Sequence, residues 1–409
     1  MDIDTGRRRL LASSGMVVGS LFAWQFRSTG SRPPRQGRSS AWPMAQRDPG
    51  GTSHAPEATP PKDGVTIRWQ QQIDSVLGAN FPPTPIVANG LVYAVGRELL
   101  CVDAATGAVR FREHTDGSGS PAVAPARAYR SPTIAFATAT RAVGIHGRGG
   151  SLIAGVSPGH RRWQTTPLTQ GVSLFGSGSH RSDAVAVDET VFMVVGEKLL
   201  AIDASSGRIR WRADGGGSRP VVYDGTVYVP NFGMGVIGYD VDTGERTFGP
   251  ADETSMAGSV TATSGLLVVG TSDGLAGIGY DGTTHWEFAP PQLDHDTGAV
   301  AIANGVAFAG MHRKKHDQLV AVDIEDGTEL WRSNIHPERS PRFAPPAVAD
   351  GVVYYPTEDR GMVAVNAADG RVRWRFEPGD EFGPLSPAAL VGETLYVHGN
   401  GTLYALTEA

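Results

Sequence analysis

Along most of the chain, short runs of alternating apolar and polar residues are separated by turn residues, which predicts half-buried β-strands joined by tight turns. One unit recurs. It opens with Pro, reaches Gly five residues later, and continues into an apolar pair that ends in an aromatic. A second alternating strand follows, then Asp, a turn with Gly, and an aromatic four residues beyond. Pro85 to Gly90 and Tyr93 leads to Asp103, Gly107 and Phe111. Pro220 to Gly225 and Tyr228 leads to Asp240, Gly244 and Phe248, and Pro346 to Gly351 and Tyr354 leads to Asn366, Gly370 and Trp374. Asp initiates the turn, Gly supplies its positive φ, and the aromatic fills space between neighbouring sheets.

Weaker copies occupy the gaps. Asp203 and Gly207 run to Trp211, Asp323 and Gly327 to Trp331, and Gly282 to Trp286, with Ile278 in place of Asp. The most degenerate copy ends Gly159-His-Arg-Arg-Trp163, and the last, Pro387 to Leu406, stops before its Gly and aromatic. The aromatics at 69, 111, 163, 211, 248, 286, 331 and 374 span 305 residues in seven intervals. A spacing of about 44 is that of propeller blades. Trp69 has no strands before it, and the last repeat lacks its outer strand. The expectation is therefore all-β: an eight-bladed β-propeller of four-stranded blades over residues 61–409, closed by the N-terminal strand around Trp69, which completes the last blade. A propeller closed in this way is expected to be monomeric.

Composition agrees with this reading. Gly accounts for 53 of 409 residues and charged residues for 19%, which excludes coiled coils and helical bundles. The net charge is −6. Residues 1–60 hold eight Arg against four Asp/Glu, or +4, and leave −10 on the remainder. A body of that charge is not expected to bind nucleic acid. Arg7-Arg8-Arg9-Leu10-Leu11 precedes an apolar run ending at Phe26. Residues 1–26 thus resemble a twin-arginine (Tat) export signal, with a membrane anchor as the alternative. Residues 27–60, rich in Ser, Pro, Gly and Arg, are expected to form a flexible linker. The chain is expected to be extracytoplasmic, either secreted or tethered at the cell surface.

The unit Leu-x-Ala-Val/Ile-Asp-Ala-x-x-Gly-x-x-x-Trp resembles the PQQ-like β-propeller repeat family, which includes quinoprotein alcohol dehydrogenases and an outer-membrane assembly lipoprotein. The resemblance covers about residues 61–409. The segment Trp42-Pro-Met-Ala-Gln-Arg47-Asp48-Pro-Gly-Gly-Thr52 is similar to the lead-in of exported members. For a dehydrogenase, the resemblance implies adjacent cysteines bridged against the quinone, a catalytic Asp, and Glu and Asn for calcium. Cys101 is the only cysteine, so the vicinal disulfide cannot form, and no catalytic residue or calcium ligand transfers to this sequence.

Other candidate chemistry is sparse. His312 and His316 lie four apart but in a connection, where that spacing does not align metal ligands. His295-Asp296 sits in a polar turn, and Asp240-x-Asp-x-Gly lacks the later Glu of a calcium loop. Aligning the eight innermost strand starts at Thr84, Ser131, Asp183, Arg219, Ser259, Ala299, Pro345 and Ser386 collects an axial ring. It contains Arg130, His180, Arg181, Arg219 and Arg342, offset by Asp183 and Asp296. Such a funnel would attract a small anionic ligand or an acidic partner. The expected function is a non-enzymatic, exported interaction scaffold or ligand-binding module without cofactor or metal. The alternative is a PQQ- and calcium-dependent dehydrogenase of an alcohol or sugar.

Overall fold

The computed structural model describes residues 41–74, 82–148, 161–168, 183–216, 219–231, 235–249, 257–290, 297–313, 316–336, 344–357, 361–379 and 384–409. The expected export signal, 1–26, and the first part of the expected linker, 27–40, lie outside these residues.

The described residues form 32 strands in eight four-stranded antiparallel sheets. In seven sheets the strands follow sequence order. The eighth joins Ala389–Val391, Thr394–Gly399 and Thr402–Thr407 to the N-terminal strand Thr66–Gln72. The fold is an eight-bladed β-propeller, closed as the sequence predicts. Blades are numbered here from the one beginning at Ile86, so that blade eight contains Trp69. Their innermost strands, such as Ile86–Ala88 and Ala347–Ala349, are short and buried and contact those of neighbouring blades.

One pairing recurs in every blade. The outer-strand aromatic faces a small residue on the third strand: Phe111 faces Cys101, Trp163 Gly144, Trp211 Ala201 and Phe248 Gly238. Trp286 faces Gly277, Trp331 Ala321, Trp374 Ala364 and Trp69 Ala405. The register slips immediately beside each pair, a bulge that adds local twist. The ring also rests on the following blade. Trp69 lies flat against Gly107, whose φ of 72° needs glycine and whose missing Cβ would stand 2.7 Å from the indole.

Closure uses side chains as well as the ladder. Glu408 accepts backbone N–H bonds from Lys62, Asp63 and Gly64 at 2.6, 2.9 and 3.1 Å. Those three bonds hold its carboxyl below the ordinary Glu range, against the opposing effect of burial.

Two expectations need correction. Residues 41–60 are not a flexible linker. Trp42, Met44, Ala45, Gln46, Ser53, Ala55 and Ala58 are buried, and the segment is bonded into the ring. Composition suggested a tether because Pro, Gly and Ser dominate, yet the ring's inner wall supplies the partners that the segment cannot make internally. The second correction concerns blade two. Its innermost strand is Ala122–Ala124, whereas Ser131 precedes the second strand, Thr133–Ala137. Other blades turn there through pairs such as Asp350-Gly351, with φ 49° and 76°. Blade two instead uses residues 125–132, so its short Ala-Val-Ala strand between Pro121 and Pro125 reads as loop.

Candidate functional site

The propeller axis is occupied by the chain's own lead-in. Trp42 exchanges backbone bonds with Val87 of blade one at 2.8 Å in both directions, and the Pro43 carbonyl accepts from Val123 of blade two. Pro49, Gly50, Thr52 and Ser53 carbonyls accept from Val222, Ala262, Ile302 and Val348 of blades four to seven. Thr59 donates to Gly392 of blade eight at 2.8 Å. Residues 42–59 therefore bond to six of the eight innermost strands and to the turn that follows the innermost strand of blade eight, while Met44 packs in the cluster that contains Val185 of blade three.

The lead-in can follow this circular path because it folds on itself. Arg47 and Ser53 take positive φ (69° and 53°), as does Gly51 at 79°. Asp48 accepts the Thr52 N–H at 3.2 Å and its hydroxyl as well. Gln46 donates to the Gly51 carbonyl at 3.2 Å, and Arg47 pairs with Glu57 at 2.7 Å. Burial, assisted by the Arg47 charge, pushes the His54 imidazole below its ordinary pKa.

Above the lead-in, residues that precede the innermost strands link blade to blade. Thr84 donates its N–H to the Ser120 hydroxyl at 2.8 Å, and Ser120 donates its own to Asp183 at 2.7 Å. Arg219 is 8% exposed, and its Nη2 donates to the Asp48 carbonyl at 2.8 Å. Burial lowers the Arg219 pKa to about 10, partly offset by the Asp183 and Asp48 charges. Its Nε and Nη1 meet no acceptor among the described residues. The arrangement can therefore hold one more acceptor oxygen, but its main role is to clasp the lead-in.

Of the cationic axial residues expected from sequence, only Arg219 stands at this mouth among the described residues. Arg130 is exposed in the 125–132 connection, after blade two's innermost strand rather than before it. That departure follows from the blade-two correction. His180, Arg181, Arg342, Asp296 and the His295-Asp296 pair lie outside the described residues. Asp183 is in place, bonded to Ser120. Sequence reasoning did not find Ser120; it read Thr84 only as a strand start and the lead-in only as a resemblance, although Trp42 and Met44 are apolar signals in an otherwise polar stretch. The strands Val306–Arg313 and His316–Asp323 pair up to Arg313 opposite His316, so the 312–316 histidines lie on strands rather than in an open connection.

Cys101 is fully buried opposite Phe111, away from the axis, and burial raises its thiol pKa to about 12. The Asp240 segment is a blade turn, with its carboxylate accepting from Asp242 and Thr243. Among the described residues no group of three or more His, Cys, Asp or Glu could hold a metal ion.

Comparison with solved structures gives the same architecture. BamB from Moraxella catarrhalis superposes with a TM-score of 0.57 at 14% identity, over 84% of this chain and 100% of that one. Quinohemoprotein alcohol dehydrogenase from Comamonas testosteroni superposes at 0.65 with 13% identity, over 90% of this chain and 81% of the other. A europium-containing methanol dehydrogenase gives 0.64 at 11% identity, covering 90% and 98%. At these identities the likeness is one of fold. No curated protein matches the sequence. The family model described as PQQ_2, outer membrane protein assembly factor BamB, matches residues 148–284 and 277–409. With well over half of its length matched, the chain belongs to this PQQ-like propeller family.

Proposed function

We propose that this propeller is an exported, non-enzymatic scaffold that binds protein partners outside the cytoplasm. The observation that carries the reading is the filled axis. The lead-in bonds to six innermost strands and to the blade-eight turn at Gly392, and Arg219 donates to the Asp48 carbonyl. A ring closed in this way offers its rim and faces, rather than an axial cavity, to a partner. The family description, an outer membrane protein assembly factor, is consistent with such work. The single cysteine, buried inside blade one, removes the vicinal disulfide that the dehydrogenase reading requires.

The test has two arms. Purified protein is given PQQ and Ca²⁺ and assayed for quinone absorbance and dye-linked alcohol oxidation; neither is expected, and either signal overturns the reading in favour of a dehydrogenase. Crosslinking in the native envelope followed by capture is expected to recover a protein partner. The double substitution Arg219→Met and Arg342→Ala, checked for an intact fold, then tests the axial face. Unchanged capture assigns the partner to the rim and removes Arg219 and Arg342 from the binding surface.

A further inference from the structure

Charge is distributed very unevenly around the ring. Residues 117–182 contain seven arginines and no Asp or Glu, whereas residues 61–409 as a whole carry −10. Blade two lies within this stretch, and its four strands run Ala122–Ala124, Thr133–Ala137, Ala142–His146 and Arg161–Gln164. The antiparallel meander brings the connection after the first strand and the connection after the third to one end of the blade. Gly147 donates its N–H to the Pro132 carbonyl at 3.0 Å, and Arg162 reaches the Ser131 carbonyl at 3.2 Å, so the two connections touch. Arg127, Arg130, Arg148, Arg161 and Arg162 all belong to this end, and the first four are exposed. Among the described residues only Arg127 meets a carboxylate, that of Glu189 in blade three at 3.1 Å.

An aromatic residue sits among these charges. Tyr129 is 44% exposed. The Arg162 guanidinium lies 3.8 Å from the centre of its ring, and His146 meets it edge-on with centroids 5.6 Å apart. Arg162 is itself fixed by bonds to Ser131 and to His146 Nδ1 at 2.8 Å. The tyrosine is thus packed between Arg162 and His146 and still exposed, in a connection that also carries Arg127 and Arg130. A pre-set aromatic among arginines suits a surface that is apolar beneath and anionic above, because tyrosine rings settle at headgroup depth and arginines pair with phosphate.

The chain's path points to the same occupant. The lead-in enters the axis between blades one and two, where Trp42 pairs with Val87 and Pro43 accepts from Val123. Val123 is two residues before Pro125, at which the cationic connection begins. The preceding sequence holds Arg7-Arg8-Arg9 and the apolar run to Phe26, so the chain that follows the expected export signal joins the ring beside its cationic blade.

We propose that this end of blade two docks the propeller on an anionic lipid surface through Arg127, Arg130, Arg148 and Arg161, with Tyr129 at the headgroup level. Docking here orients the ring on the membrane and leaves the other blades free. It holds whether or not the scaffold reading does.

The test uses the full chain with vesicles of phosphatidylcholine alone or with 30% phosphatidylglycerol. Amide exchange over residues 125–132 is expected to slow on the anionic vesicles and to remain unchanged on the neutral ones. In the variant Arg130→Gln, Arg148→Gln and Arg161→Gln, partition onto anionic vesicles is expected to weaken about fivefold for each arginine, about a hundredfold in all. The N-terminal segment is common to both proteins and cancels in that comparison. Exchange over 125–132 that does not respond to anionic vesicles overturns the proposal, even if the chain itself sediments with them. Arginine-dependent binding of polyglutamate without arginine-dependent vesicle binding also overturns it and assigns the face to an acidic protein segment.

Discussion

The Trp331 indole N–H donates to the Ala367 carbonyl of the next blade at 2.8 Å. Trp69, Trp163, Trp211 and Trp286 do the same to Ala104, Ala204, Val241 and Ile324, at 2.8–3.0 Å. Each acceptor is the residue after the turn Asp or Asn. Phenylalanine takes the position twice, at Phe111 and Phe248. The blades that follow, two and five, lack the Asp-initiated turn in their sequences, and the equivalent carbonyl in blade two, that of Gly147, accepts the Tyr93 hydroxyl of blade one instead. The ring type on one blade thus reports the turn chemistry of the next. Trp331→Phe keeps the apolar contact and orphans the acceptor. It is expected to lower stability by about 1 kcal/mol, as a reduced urea midpoint at unchanged slope. Phe111→Trp should give no matching gain in the same assay.

At the scale of elements, the lead-in and blade two depart furthest from the common unit. His54 lies within the lead-in and forms a bridge with Val348. Its folded-state pKa lies below the ordinary 6.5 because burial and Arg47 disfavour the cation. The fold therefore selects neutral imidazole. This contribution is intact above 6.5 and falls away as the pH drops from there towards the folded-state value. Protection of the Ala55 amide, which is bonded to Val348 at 2.8 Å, is expected to fall between pH 7 and pH 5. His54→Gln should flatten that dependence, as read by protection factors at each pH. Blades with a full Asp-turn-aromatic unit were legible in the sequence because each feature has a local cause. Alternation gives the strand, Asp and Gly give the turn, and the aromatic reports the sheet contact. The axial residues were harder to read. Their neighbours, as with Gln46 and Val300 or Ser120 and Asp183, are far apart in sequence. Arg219 lies just before the innermost strand of blade four, and its acceptor lies 171 residues away in the lead-in. Arg130 was misplaced because the eight-residue connection in blade two breaks the alignment.

For the whole molecule, the seam in blade eight joins the strand Thr66–Gln72 to the strand Thr402–Thr407. Its ladder pairs Thr66 with Thr407 and Gln72 with Thr402, and Glu408 gathers three N–H groups from residues 62–64. The depressed Glu408 pKa contributes stability above the ordinary carboxyl value, and that contribution is lost as the pH falls through the folded-state value. Glu408→Gln is expected to lower Tm at pH 7. The gap from the parent should close below about pH 4, as followed by calorimetry across that range.

Blade eight has no turn of its own to receive the indole of blade seven. Trp374 donates instead to the Pro61 carbonyl at 3.1 Å, and the Tyr354 hydroxyl donates there as well at 2.9 Å. The missing acceptor is supplied by a residue made more than three hundred positions earlier. During synthesis, the lead-in and the strand Thr66–Gln72 are the first parts of the ring to emerge, yet their partners at 394–407 are among the last. Until residues 394–407 are made, the strand Thr66–Gln72 has no ladder partner and the ring stays open at blade eight. Closure of this ring can therefore come only after blade eight has been made, and a cell must keep the growing chain from pairing elsewhere until then.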